Sequence, residues 1–202
     1  MQLLKKYWLV IVVALFVYPA CSMQAQTMYI GFNSGMVNSR IESPEVNNTF
    51  TSEGWGYNLG VFMRYGKRPF YQLGADWLRS NNQTTFTHKG NVVSGDVPLH
   101  SFDLSLKMGY EIIQRPVFKW RASAGPFIGK TNLRSSSVFD FNQNDFRGPQ
   151  YGFIAGTGLQ FTHLTFGIEY SYHMSQLFSD SHTIINPEAR LETLAFKIGL
   201  QI

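Results

Sequence analysis

Cysteine is all but missing from this chain of 202 residues. Cys21 stands alone, so no disulfide forms within the chain and its stability must come from elsewhere. Charge is scarce as well, at 15% of residues against the usual figure of about 25%. Lys and Arg nowhere gather into the cluster that nucleic-acid binding needs, so no nucleic-acid partner is expected. The five histidines, at 88, 100, 163, 173 and 182, show no metal-ligand spacing, and no metal or cofactor is expected. After residue 17 no apolar run approaches the roughly 20 residues of a membrane-spanning helix.

What is present begins with "MQLLKKYWLVIVVALFVYPACSMQAQ" (1–26). Lys5 and Lys6 form a basic start, Tyr7 to Val17 an apolar stretch, and small residues surround Ala25. That layout predicts a secretory signal peptide cleaved near Ala25 or Gln26, with 27–202 as the mature domain. Cys21 then leaves with the leader. A lipidated Cys21 is the rival reading, which Tyr18 and Pro19 fit poorly. Removing Lys5 and Lys6 takes two from the 17 basic residues against 13 acidic ones, which leaves a nearly neutral chain.

Aromatics, at 15%, and 18 glycines make up the difference, and they are patterned. In "WGYNLGVFMRYGKRPFYQLGADWLRS" (55–80), Trp55, Tyr57, Leu59, Val61, Met63 and Tyr65 alternate with Gly56, Asn58, Gly60, Phe62, Arg64 and Gly66. Period two is strand grammar, and it recurs to give eight strands. The first covers about 28–41. The second and third lie in the quoted stretch around a Lys67-Arg68-Pro69 turn. The others cover about 99–113, 117–131, 150–161, 164–172 and 190–202. Connections at 67–69, 114–116 and 162–163 are short, whereas those near 42–54, 80–98, 132–149 and 174–189 read as long polar loops.

Alternate short turns and long loops between strands of roughly 9–11 residues predict an all-β, eight-stranded antiparallel up-and-down barrel in a bacterial outer membrane. An even strand count puts both termini on the periplasmic side and the long loops outside the cell. Hydrocarbon solvates no unpaired backbone, so a sheet can span only by closing. Eight strands enclose just enough room for their own side chains, and inward glycines make space for long polar neighbours. The inward phase carries Arg64, Lys107, Lys119, Arg121 and Lys197 against Asp76, Asp103, Glu111 and Glu169. Buried charges persist only when paired, so this set is expected to form a structural polar network that plugs the lumen. Folding about Arg115 puts Glu111 opposite Lys119. Paired aromatic girdles are expected, with Tyr65, Tyr71 and Tyr110 at the short-turn end and Trp55, Tyr57, Trp77, Tyr151, Tyr170 and Tyr172 at the long-loop end.

The segments "GPFIGK" (125–130), "YGFIAGTGLQF" (151–161) and "LTFGIEYSYHMSQLFSD" (164–180) resemble the outer-membrane barrel domain of PorT-like, "porin family" proteins. The resemblance covers most of the mature chain and is strongest from about residue 100. It implies a small barrel without an open pore, and it admits an accessory role in a larger envelope complex for protein secretion or barrel assembly. The ending "LAFKIGLQI" resembles the terminal strand read by the barrel assembly machinery, although it closes on Ile202 where Phe is commoner.

One enzymatic alternative stays open. "HMSQ" (173–176) loosely resembles the His-x-Ser pair of lipid A deacylases, with Glu188 as an acidic partner in chain order. A His beside a Ser can generate a nucleophile. Gln176, however, replaces that family's Asn, and His173 and Ser175 share the inward phase of Glu169 and Ser171, away from acyl chains. The preferred reading is a non-enzymatic structural or interaction barrel. Its partners would be outer-membrane lipid and lipopolysaccharide, which Arg79 and Arg190 could meet at the rim, the assembly machinery during insertion, and other envelope proteins.

Overall fold

The computed structural model describes residues 28–42, 50–88, 91–133, 148–175 and 190–202. The candidate leader and Cys21 lie outside them, as does Glu188. Eight strands follow in order: β1 (Met28–Glu42), β2 (Phe50–Gly66), β3 (Phe70–His88), β4 (Asn91–Gln114), β5 (Phe118–Leu133), β6 (Gln150–Phe161), β7 (Leu164–His173) and β8 (Arg190–Gln201). Each pairs antiparallel with its sequence neighbours. β1 closes onto β8 from Gly31↔Gln201 to Glu42↔Arg190, giving a closed barrel. No helix among the described residues is long and apolar enough to cross a membrane.

Three short connections join the strands at one end. Gly66 adopts φ 94° at the end of β2, a conformation open to glycine. Thr162 does the same at φ 51° without that freedom, in the two-residue turn between β6 and β7. At the third, a bulge between Glu111 and Ile113 shifts the β4–β5 register. Glu111 therefore faces Arg121, and Gln114 faces Lys119, so the expected Glu111–Lys119 pair does not form. The extra residue also leaves Ile112 and Ile113 both exposed on the outer wall.

The alternation sorts side chains between two surroundings. Ile30, Phe32, Val61, Leu73, Phe153 and Ile198 stand exposed on the outer wall, each more than half accessible. Water would not tolerate an apolar belt this continuous, but hydrocarbon solvates it. The inner face holds most of the buried polar side chains, including Asn58, Arg64, Asp76, Lys107, Glu111 and Arg121.

Strand lengths correct the expected loops. β6, β7 and β8 have 12, 10 and 12 residues, close to one membrane crossing. β3 and β4 have 19 and 24, so 80–98 is mainly a paired hairpin, in register from Ser80↔Leu99 to His88↔Asn91. β2 likewise begins at Phe50, inside the expected 42–54 loop. The period-two signal fades there because both faces are polar: outward Asn81, Gln83 and Ser94 are exposed, whereas the equally polar inward Asn82 and Thr84 are buried against Ser39 and Ser52.

Candidate functional site: the barrel interior and its rim

The inner face is layered along the barrel. At the short-turn end, two guanidinium groups are held by glutamines. Arg64 donates from Nε and Nη2 to Gln72 Oε1 (3.1 and 2.6 Å) and from Nη1 to Gln201 Oε1 (2.6 Å). Arg121 Nη1 donates to Gln160 Oε1 at 2.8 Å and to Gln201 Oε1 at 3.4 Å. The Arg64 guanidinium also lies 4.9 Å from the centroid of Phe70 and 5.2 Å from that of Phe62, within cation–π range. Lys119 sits farther out, 5.5 Å over the Tyr29 ring, in a mouth of about 210 Å³ that His163 and Ile202 also line.

Above this layer four charges join across β3, β4, β7 and β8. Lys197 Nζ lies 2.8 Å from Asp76 Oδ1 and 2.7 Å from Glu169 Oε2, and the Lys107 ammonium donates to Glu169 Oε1. Asn58 Nδ2 reaches Asn33 Oδ1 at 3.1 Å and Asp76 Oδ1 at 3.4 Å. Room for these groups comes from glycine: a Cβ on Gly60 would collide with the Asp76 carboxylate, and one on Gly156 would lie 2.7 Å from Glu169 Cγ. Asp103 stands apart from the ion pairs and accepts from Ser101 Oγ at 2.7 Å. Glu111 is buried beside Arg121 in the register, with its Oε2 lacking a hydrogen-bond partner. A cavity of about 50 Å³ lies among Arg64, Arg121, Glu169 and Lys197.

Toward the long loops hydroxyl groups replace charge. Ser39 Oγ is 2.7 Å from both Ser80 Oγ and Asn82 Oδ1, Thr84 Oγ1 donates to Ser52 Oγ at 2.9 Å, and Thr131 Oγ1 donates to Gln150 Oε1 at 2.9 Å. Val37, Leu99, Phe127 and Leu191 are buried among them. The remaining void there measures about 10 Å³, room for one water.

The suggested catalytic pair is not assembled. His173 is buried, its ring edge-on to Phe127 at 4.7 Å and its Nδ1 2.9 Å from the Leu191 carbonyl. The Ser175 hydroxyl accepts from the Tyr151 backbone N–H at 3.1 Å. Neither hydrogen bond joins the two side chains to each other.

The inward phase that alternation gives to Phe62 is also that of Phe70 and Phe127, which polarity alone does not single out. Phe62, Phe70 and Phe127 occupy the polar phase, and each faces a glycine directly across a strand: Gly31, Gly109 and Gly152. A Cβ on any of these glycines would run into the facing ring. Aromatic rings in the polar phase, with glycines in the same phase of the next strand, announce rings laid over bare backbone.

At the rims, Tyr57 and Trp77 meet edge to face at 5.7 Å and 73°. Trp55 and Tyr151 are exposed, Tyr170 is outward on β7, and Tyr172 accepts from Arg190 Nη1 at 2.5 Å. Tyr65, Tyr71 and Tyr110 sit outward at the other end, where Arg68 lies 5.6 Å over the Tyr110 ring. Trp120 Nε1 donates to Thr157 Oγ1 on the outer wall at 2.8 Å.

The family model described as "Outer membrane protein beta-barrel domain" matches residues 24–179. No curated protein matches the chain. Among solved structures, the outer membrane protein OprG from Pseudomonas aeruginosa is similar at 10% identity and a TM-score of 0.53, covering 88% of this chain and 97% of its own. Neisserial surface protein A is similar at 15% identity and 0.52, covering 88% and 99%. Ail, the attachment invasion locus protein of Yersinia pestis, has a TM-score of 0.46 in two structures, at 16% identity covering 87% of this chain and 99% of its own in one, and at 15% identity covering 86% and 98% in the other. At such identities the likeness to OprG and to the neisserial protein is one of fold.

Proposed function

The chain belongs to the outer membrane protein beta-barrel domain family, and from that premise we propose that it is a non-enzymatic interaction protein of the PorT-like kind. Its lumen is closed by its own side chains, its long-loop end faces the cell exterior, and both termini are periplasmic. The observation that carries the reading is the unequal strand length. β3 and β4 continue well past the Trp77 level as a paired, water-facing hairpin, a recognition surface raised from the membrane. Closure is supported by the bridged charges at mid-height and by the small cavities, about 10 and 50 Å³, among the described residues on either side of them. A non-enzymatic role is supported by Ser175 and His173, whose hydrogen bonds run to backbone groups of Tyr151 and Leu191.

A cysteine at Ser94, outward on β4, tests the arrangement. On intact cells a membrane-impermeant maleimide should label Ser94→Cys; labelling only after the cells are broken would overturn it. In planar bilayers the refolded barrel should carry no steady ionic current. Lipid A from cells expressing Ser175→Ala should match that from cells expressing the unaltered chain, and a change in acylation would restore the hydrolase reading.

A further inference from the structure

We propose that Arg79 and Lys130 form a docking site on the outer wall for a phosphate of the outer-leaflet glycolipid, lipid A. Arg79 projects outward from β3 and Lys130 from β5, on either side of β4. His100 of β4 stands opposite Arg79, and Phe102 stands opposite both Trp77 and Lys130. Strands are about 4.8 Å apart, so the two Cα atoms are separated by two strand spacings, about 10 Å, and by a two-residue offset of about 7 Å. Side chains as long as Arg and Lys close that gap onto one phosphate, Arg with its planar fork and Lys as a point charge.

Charge balance singles out this side of the barrel. Neither Arg79 nor Lys130 takes part in an ion pair among the described residues. The nearest outward carboxylates on β2 and β4, Glu53 and Asp96, both face Gln83, four residues beyond Arg79 along β3. Across the barrel the cations are answered: Arg40 stands opposite Glu53 and Glu192, and Arg190 donates to Tyr172.

Position identifies the occupant. The patch lies on the side wall, one outward residue above Trp77 on β3 and above Ile128 on β5, which faces girdle residue Tyr151. Phe102 and Ile128 below it are exposed and apolar. An occupant must offer phosphate at this height and acyl chains beneath it, as a membrane lipid does. Tyr57, Trp77 and His100 form a frame beside the cations, with Trp77 and His100 ring centroids 6.2 Å apart, a surface suited to a sugar face. The choice of lipid A rests on the proposed exterior orientation of the long-loop end.

The test titrates lipid A into the refolded chain in neutral detergent, with native mass spectrometry as the readout. The unaltered chain should retain lipid A. Arg79→Gln/Lys130→Gln should bind at least ~10-fold more weakly, since two charge-assisted contacts are lost, while Arg40→Gln binds as before. Heat-modifiable gel mobility verifies that each variant is folded. If the double variant misfolds, the single changes Arg79→Lys and Lys130→Gln carry the comparison, each expected to weaken binding. The proposal fails if affinity is unchanged in the variants, if dephosphorylated lipid A binds equally, or if Arg40→Gln loses as much. It also fails if phosphatidylglycerol or free pyrophosphate competes at equal concentration, since the site would then read any phosphate. A wrong orientation would instead appear in the Ser94→Cys labelling and leave this titration untouched.

Discussion

Toward its short turns the barrel interior is held by charge, and toward its long loops by hydroxyls and aliphatic side chains. Lys197 is the hub of the first half, bridging Asp76 on β3 and Glu169 on β7, with Lys107 on the far side of Glu169. Ser39 is its counterpart in the second, joined to Ser80 and Asn82. The halves differ in how they respond to loss. Removing one member of a buried ion cluster leaves an uncompensated charge, whereas losing a hydroxyl leaves neutral groups that a water can still satisfy. The charged half is therefore all-or-nothing and the hydroxyl half is graded.

The largest expected effect is Lys197→Met, which leaves Asp76 without its ion-pair partner and should cost about 3–5 kcal/mol. Urea titration of the folded barrel in micelles, followed by tryptophan fluorescence, measures it. Adding Asp76→Asn to the same chain should return part of the loss, because the stranded charge disappears. Ser39→Ala is the matched change in the other half, with a loss of about 1–2 kcal/mol. Equal losses from Lys197→Met and Ser39→Ala would erase the distinction between the halves.

The same contrast explains what could be read from the sequence. Within the membrane band the two faces meet opposite surroundings, oil and a confined interior, and so the phase of every strand was legible from alternation alone. So was the inward placement of Arg64, Asp76, Lys107, Glu169 and Lys197. Above the band the exposed outer face of β3 and β4 is as polar as the buried inner one, alternation in polarity fades, and 80–98 reads as a loop although it is a hairpin. Register is harder still. The bulge near Ile112 replaces Lys119 by Arg121 opposite Glu111, and nothing in "EIIQRP" marks one extra residue. Which ion meets which depends on shear around the whole barrel, a global quantity no local pattern carries.

The outer wall extends the comparison to a polar contact in lipid. Trp120 donates its indole N–H to Thr157 Oγ1, and that hydroxyl donates in turn to the Arg121 carbonyl at 3.0 Å. Trp120→Phe keeps most of the apolar area and removes one donor, so a cost of about 0.5–1 kcal/mol is expected, below that of Ser39→Ala. The urea midpoint checks this order, and a larger loss would mean that lipid penalises the orphaned hydroxyl more than the interior does.

An effect as small as that of Trp120→Phe should have the opposite sign. Thr162 holds φ 51° in the turn between β6 and β7, a region that β-branched residues occupy at a cost. Its carbonyl accepts from Gln160 Nε2 at 2.7 Å, and Gln160 Oε1 accepts from Arg121, so the turn is tied to the charged half of the lumen. Asn tolerates this conformation far better than Thr. Thr162→Asn should therefore stabilise the barrel by about 0.5–1 kcal/mol, raising the urea midpoint without altering the slope. If the midpoint falls instead, the Thr162 hydroxyl, which donates to the Phe161 carbonyl at 2.7 Å, contributes more than the strain it offsets. The charged layer would then depend on the turn beneath it.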